Sequence, residues 1–382
     1  MSKPGAPLRK WLKVATLSSA AAFMATMGTA ASAQLAPVTT ANLGKGWNLG
    51  NSLEAYNKNG QTTSQETYWG NPVVNQQIFN GIAAAGFKSV RIPVAWMQYA
   101  DRKNNIAPFW LARVKQVVDM ARNAGLYVII NEHWDGGWQI PSNQGARTAN
   151  PKLQALWTQV ANYFKDYDNH LLFAGTNEVA MPNTYTAPTA ENCSVQTGFN
   201  QIFVNAVRAT GGNNATRTLV VQGYATNIDW SIDQCGAKVP TDTTTGRLMM
   251  ELHYYDPYDF TINTGSAIWQ WGSIATDPAA TETWANEPWV EAHFDKAKAN
   301  YADKGVPVII GEYCAVSKHT YDAPEKYRNY WDNYITGSAV RHGIATFYWD
   351  AGSYPDLSCG LFDRNSGAQT APTTVNNIIT AQ

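Results

Sequence analysis

The sequence predicts an α/β fold, a single (β/α)8 TIM barrel, and three observations carry that expectation. First, a helical segment repeatedly ends at a glycine and a β-rich run begins at once. This happens in AAAG-FKSVRIPV around Gly86, ARNAG-LYVIIN around Gly125, YADKG-VPVIIG around Gly305 and VRHG-IATFYW around Gly343. Glycine suits the left-handed position that stops a helix. Second, eight apolar runs fall at residues 44–49, 88–93, 127–131, 171–176, 218–222, 247–252, 306–310 and 344–348. They are nearly continuous, as parallel strands buried on both faces are. Third, no glycine-rich phosphate loop follows an early strand, which argues against an open doubly wound sheet.

In chain order, the first element is a leader. Lys3, Arg9, Lys10 and Lys13 precede an apolar run from Val14 to Met27, and Ala31-Ser32-Ala33 follows. A basic head, an apolar middle and an A-x-A end predict a secretory signal over residues 1–33, cleaved after Ala33. The run is shorter than the ~20 residues a membrane span needs, and no adjacent arginine pair marks the twin-arginine route. Residues 34–382 are then expected to form one secreted catalytic domain, extracellular or periplasmic, that is monomeric and free of the membrane. Before Gly125 the helical period is plain, with Leu111, Val114, Val117, Val118 and Ala121 on one face. Long aromatic loops are expected after strands three (135–150), four (180–194) and six (256–288). They carry Trp138, Trp269, Trp271 and Trp284 and would wall a cleft at the C-terminal face of the barrel. Residues 364–382 read as a closing helix and tail.

Composition excludes some partners. The leader holds four of the 28 basic residues against 29 acidic ones in the chain, and the rest of the positive charge is scattered. Nucleic acid is therefore not an expected partner. Fifteen Trp and nineteen Tyr suggest a surface that stacks on flat, polar molecules such as sugars. Cys193, Cys235, Cys314 and Cys359 allow three pairings in an oxidising compartment. Cys193–Cys235 and Cys314–Cys359 are expected, because each closes the shorter loop. Asn192-Cys193-Ser194 and Asn214-Ala215-Thr216 match the weak glycosylation pattern.

The chemistry lies where the strands end. Strand one ends in Asn48 and Asn51, strand two in Arg91, strand three in His133, and strand four in Asn177-Glu178. Strand six ends in His253 and Tyr255, strand seven in Glu312 and strand eight in Trp349. Barrel packing accounts for apolar residues inside, not for this ring. Two glutamates facing across one mouth are the equipment of glycoside hydrolysis, one protonated to donate and one ionised to attack. Glu178 is expected as the acid, its proton held by burial and by its negative neighbour. Glu312 is expected as the nucleophile, kept charged by Arg91 and Tyr255. Asn177 would bond a sugar 2-hydroxyl and Trp349 would stack under a pyranose ring. Of the competing carboxylates, Glu251 should face inward one layer deeper in a structural ion pair, and Glu132 should point away.

These residues resemble glycoside hydrolase family 5, the retaining barrel cellulases. The motifs are GWNLGN, VRIPVAW, VIINEHW, AGTNEV, LHYYDP, VIIGEY and FYWD, in order and at strand ends. The resemblance implies Glu178 as acid/base and Glu312 as nucleophile, with carboxyl groups ~5–5.5 Å apart. It implies Arg91, His133, Asn177, His253, Tyr255 and Trp349 as the surrounding shell. Two departures reshape the cleft walls: Val179 stands where many members have proline, and Trp134 where many have a second histidine.

The expected function is a secreted retaining endo-β-1,4-glucanase acting on β-glucan, without cofactor or metal, with Asn51, Trp134, Trp138 and Trp349 binding substrate. Xyloglucan, mixed-linkage glucan or mannan would use the same machinery. A non-catalytic sugar-binding barrel would be expected to lack one of the two carboxylates. A metal-dependent barrel would need clustered histidines, and the six here include no His-x-His pair.

Overall fold

The computed structural model describes residues 1–2, 34–57, 62–352 and 355–382. Apart from its first two residues, the expected leader lies outside the described residues. Eight parallel strands close into a barrel in sequence order: β1 (Lys45–Leu49), β2 (Ser89–Ile92), β3 (Tyr127–Asn131), β4 (Leu171–Ala174), β5 (Leu219–Gln222), β6 (Leu248–His253), β7 (Val308–Tyr313) and β8 (Ala345–Asp350). β1 closes the ring against β8, with Asn48 opposite Trp349. The four glycines that precede strands all take positive φ, from 72° at Gly343 to 109° at Gly86.

Helices Gln76–Ala85, Pro108–Asn123, Asn143–Tyr163, Ala190–Ala209, Glu287–Asn300, Lys326–Arg341 and Pro372–Thr380 surround the barrel. Two of them begin inside stretches expected to be loops. Asn143–Tyr163 starts early because the Ser142 side chain accepts from Gly145 N–H. Ala190–Ala209 starts early because Thr189 and Asn192 form a reciprocal capping box. Between β5 and β6 the chain makes only short helical turns at Tyr224–Thr226 and Trp230–Gln234. The Cys193–Cys235 disulfide ties that thin connection to its neighbouring helix. Cys314–Cys359 pins the end of β7 to the segment after β8. Both pairings match expectation. Neither glycosylation asparagine is open: Asn192 and Asn214 are buried, with their amides donating to Pro141 O and Ala161 O.

Alternation along each strand sends one set of residues outward, under the helices, and the other into the lumen. The lower lumen is apolar. Ile129, Leu172, Val220, Met249, Ile309 and Phe347 pack together, and Val38 and Leu43 close the floor. The segment ahead of β1 is held there by Val38 N–H on Thr218 Oγ1. The upper lumen holds Asn48, Arg91, Asn131, Gln222, Glu251, His253 and Glu312, all buried. The β6–β7 ladder slips register between Leu252 and His253, so that His253 faces Glu312. This bulge turns Glu312 into the lumen directly after Gly311. Among the described residues no helix is long and apolar enough to cross a membrane.

Candidate active site

Arg91 is the hub. It rises from β2 with no exposed surface and divides its guanidinium among four residues. Nη1 donates to Glu312 Oε1 at 2.9 Å and Asn48 Oδ1 at 3.0 Å. Nη2 donates to Asn177 Oδ1 at 2.5 Å, and Nε lies 2.8 Å from Glu251 Oε1. A planar fork with fixed donor directions is what such a division requires. Burial lowers the guanidinium's hold on its proton, but Glu251 and Glu312 more than restore it, and the group titrates above its ordinary value.

Glu312 receives a second bond from Tyr255 Oη, 3.1 Å from Oε2. Its side chain is 7% exposed. Burial pushes the Glu312 carboxyl above the ordinary carboxylate range; His253 and Arg91 oppose the rise while Glu178 and Glu251 add to it. Glu178 differs. It stands at the open cleft wall with its side chain 46% exposed, not buried as expected. The strand ends at Ala174, and the polar run Thr176-Asn177-Glu178 climbs out of the lumen toward solvent.

The two histidines behave oppositely. His253 Nδ1 lies 2.7 Å from Glu178 Oε1 and 3.7 Å from Glu312 Oε2, and its Nε2 lies 3.2 Å from Glu251 Oε1. Burial alone would remove its proton, but Glu312, Glu178 and Glu251 push it up to about 9. His133 is driven well below the ordinary histidine range by burial and by repulsion from Arg91 and His253. Its ring stacks on Trp349, centroids 5.6 Å apart and 10° from parallel.

The expected site residues separate into three groups. Arg91, His133, Asn177, Glu178, His253, Tyr255, Glu312 and Trp349 meet at the barrel mouth. Trp134 and Trp138 line a hollow of about 450 Å³ that also contains Asn177, Glu178 and Val179. Asn51 lies instead in a separate hollow with Trp69, Asn71 and Arg364. Trp271 is not in the cleft wall as expected. It is core, 2% exposed, with its indole N–H on Ala285 O.

Glu132 is buried beside Asp135 and Gln139 and lines the Trp138 hollow that Glu178 also borders. Glu251 forms the deeper ion pair expected of it. Sequence reading passed over Gln222, the polar end of β5, and an aromatic strip running Trp69–Tyr56–Trp134 with centroid spacings of 6.1 and 6.4 Å. The signal for Gln222 was there, as the one polar residue closing an otherwise apolar run.

Among the described residues, Glu178, His253 and Glu312 bring ligand-type atoms within 4.8 Å of one another. A protonated His253 and Arg91 already supply positive charge at that point.

A closed (β/α)8 barrel with two glutamates converging at its C-terminal mouth has the framework of a glycoside hydrolase. The family model described as Cellulase (glycosyl hydrolase family 5) matches residues 53–355. The chain is 38% identical over 357 residues to Endoglucanase A of Paenibacillus barcinonensis, covering 89% of this chain and 88% of that one. It is 42% identical over 335 residues to a xyloglucan-specific endo-β-1,4-glucanase of Bacteroides ovatus, covering 84% of this chain and 65% of that one. A solved family 5 xyloglucanase from Paenibacillus pabuli superposes with a TM-score of 0.85 at 36% identity, over 90% of this chain and 99% of that one. The chain belongs to glycosyl hydrolase family 5, and it is an O-glycosyl hydrolase of the cellulase type.

Proposed function

We propose that the protein is a secreted, retaining endo-β-1,4-glucanase in which Glu312 is the nucleophile and Glu178 the acid/base. The observation that carries this reading is the closeness of the two carboxylates, with oxygens within 4.8 Å of one another and both facing His253 Nδ1. Inverting enzymes hold theirs ~6.5–9.5 Å apart to admit a water, and retaining enzymes ~5–5.5 Å.

In the first step a Glu312 oxygen attacks the anomeric carbon, the bond to the leaving chain breaks, and Glu178 gives its proton to the departing oxygen. In the second step Glu178 takes a proton from water, the water oxygen attacks the same carbon, and Glu312 leaves as a carboxylate. Two inversions restore the configuration. Arg91 and Tyr255 hold Glu312 in line, and Asn177, fixed by Arg91, is placed for the 2-hydroxyl. His133 and Trp349 form a stacked floor for the ring.

The basic head, apolar run and A-x-A end of residues 1–33 support export. Glu312→Gln is expected to abolish turnover on soluble β-1,4-glucan while leaving glucan binding intact; undiminished turnover would refute the assignment. A second reading, in which branched xyloglucan is the preferred glucan, is favoured by the hollow beside Glu178 and by the names of the relatives from B. ovatus and P. pabuli. Product analysis on a panel of β-glucans, xyloglucan and mannans separates the two.

A further inference from the structure

Glu251 touches neither the Trp138 hollow nor a second hollow that Glu178 shares with Asp229, Asp256 and His293, has no exposed surface, and has no part in the two-step chemistry. A carboxylate with no access to water is costly unless its surroundings use its charge. Its surroundings are specific. Oε1 faces both Arg91 Nε at 2.8 Å and His253 Nε2 at 3.2 Å, and Oε2 accepts from Gln222 Nε2 at 2.7 Å. Gln222 is itself held by Thr176, whose N–H and hydroxyl both donate to its Oε1 at 2.9 and 3.0 Å. Thr176 stands two residues before Glu178. The connection therefore runs from β4 through β5 and β6 and returns to Glu178 through the imidazole.

Gly311 completes it. The β6–β7 bulge turns both Gly311 and Glu312 toward the lumen, and a Cβ at Gly311 would collide with Glu251 Oε1. The glycine ahead of the nucleophile is the space that Glu251 fills.

We propose that Glu251 is a positioning residue for the glycosidase reaction: it fixes the His253 imidazole, protonated on both nitrogens, between the two catalytic carboxylates. Glu251 is ionised and can only accept, so Nε2 carries a proton; Nδ1 faces Glu178 and Glu312, one of which is charged at each stage of the reaction, and that charge favours a proton there as well. During the reaction negative charge leaves Glu312 as the ester forms and appears on Glu178 as its proton departs. His253 Nδ1 faces both, at 3.7 and 2.7 Å. A cation held there stabilises whichever carboxylate is charged without having to move.

The charged and titratable groups around His253 come from five strands and the segments that follow them: Arg91 on β2, His133 after β3, Glu178 after β4, Glu251 on β6 with Tyr255 just beyond it, and Glu312 on β7. Glu251 is set on the ionised side of this balance. Burial raises its carboxyl, but Arg91, His253 and Gln222 bring it below its ordinary value.

The proposal rests on the glycosidase reading, and its test is chosen to fail separately from that reading. Full-length enzyme with ¹⁵N-labelled histidines is titrated by NMR, as wild type and as Glu251→Gln. Wild-type His253 is expected to keep both ring protons past pH 8. In Glu251→Gln it should lose one about a pH unit or more lower. The sign in turnover follows. Below the lowered value His253 is still a cation and the variant approaches wild type; above it kcat falls about tenfold or more, with KM within about twofold. A wild-type His253 that is neutral at pH 7 overturns the proposal even if the variant does not fold. An active Glu251→Gln with an unshifted His253, or with a loss of kcat independent of pH, overturns it as well. A wild type inactive on every β-glucan overturns the glycosidase reading instead.

Discussion

The lower and upper halves of the barrel lumen are made by the same eight strands and are opposite in chemistry. Below, Ile129, Leu172, Val220, Met249, Ile309 and Phe347 interlock as an apolar plug. Above, two to four residues further along β6 and β7, Glu251, His253 and Glu312 crowd together with Arg91 of β2, with almost no contact with water. The plug contributes stability by removing apolar surface from water. The upper layer contributes little net stability, since desolvating ions costs about as much as their pairing returns. The rigid lower layer is what permits the costly upper one. Strand spacing is set where packing is tight, and the charged residues inherit that geometry.

The comparison can be tested from both sides. The largest effect is expected from Glu312→Gln, which should lower kcat by about four orders of magnitude or more while leaving Tm at or above wild type, because it removes a buried ionisable group. A lowered Tm would show that the upper layer is a net stabiliser. Next, Leu172→Ala in the plug should cost about 2–5 kcal/mol in denaturant unfolding, with kcat of the folded enzyme within about twofold. Close behind, replacing Cys193 and Cys235 by serine should cost about 4 kcal/mol, the loop-entropy value for residues 42 apart in sequence. The loss should appear as a lower Tm without loss of activity below it.

Two smaller effects concern pH. As the proposed nucleophile Glu312 would have to be ionised to attack, and its carboxyl is raised by burial, so the acid limb of kcat/KM should lie above that of an ordinary glutamate. Away from the site, burial raises Glu54 and Asp135 to about 7 and Asp332 to about 8. Across that window the native state holds protons the unfolded chain has released. Stability is therefore greatest at the acidic end and falls as pH rises toward 8. Tm should drop by about a few degrees between pH 6 and pH 9, and Asp332→Asn should flatten that slope.

Much of this was legible in the sequence, for a physical reason. Buried parallel strands are apolar throughout, so a polar residue at the end of each run, Arg91 or Glu178, marks the lumen's mouth. Strand positions and both disulfides followed from periodicity and loop length. Glu312 was found by its place at a strand end, but its direction was not legible. With Ile309 facing inward, strict alternation would turn Glu312 out, and only the register slip opposite His253 brings it in. Loop limits failed where the caps at Ser142 and Thr189 were overlooked. The exposure of Glu178 and the burial of Trp271 are properties of packing between loops, which no local pattern records.

The pairing of β1 with β8 has a consequence for how the molecule is made. Asn48 and Trp349 are neighbours in space and some 300 residues apart in the chain. The ring therefore cannot close until the last strand has been synthesised, and loop-closure entropy is paid in full before that pairing returns anything. Glu312 and Trp349 sit on the last two strands to emerge. A nascent chain carrying Arg91, His133 and Glu178 is thus a set of unclosed strand edges without the proposed nucleophile, and its dependence on protection from aggregation ends at the same moment that the proposed catalytic site is completed.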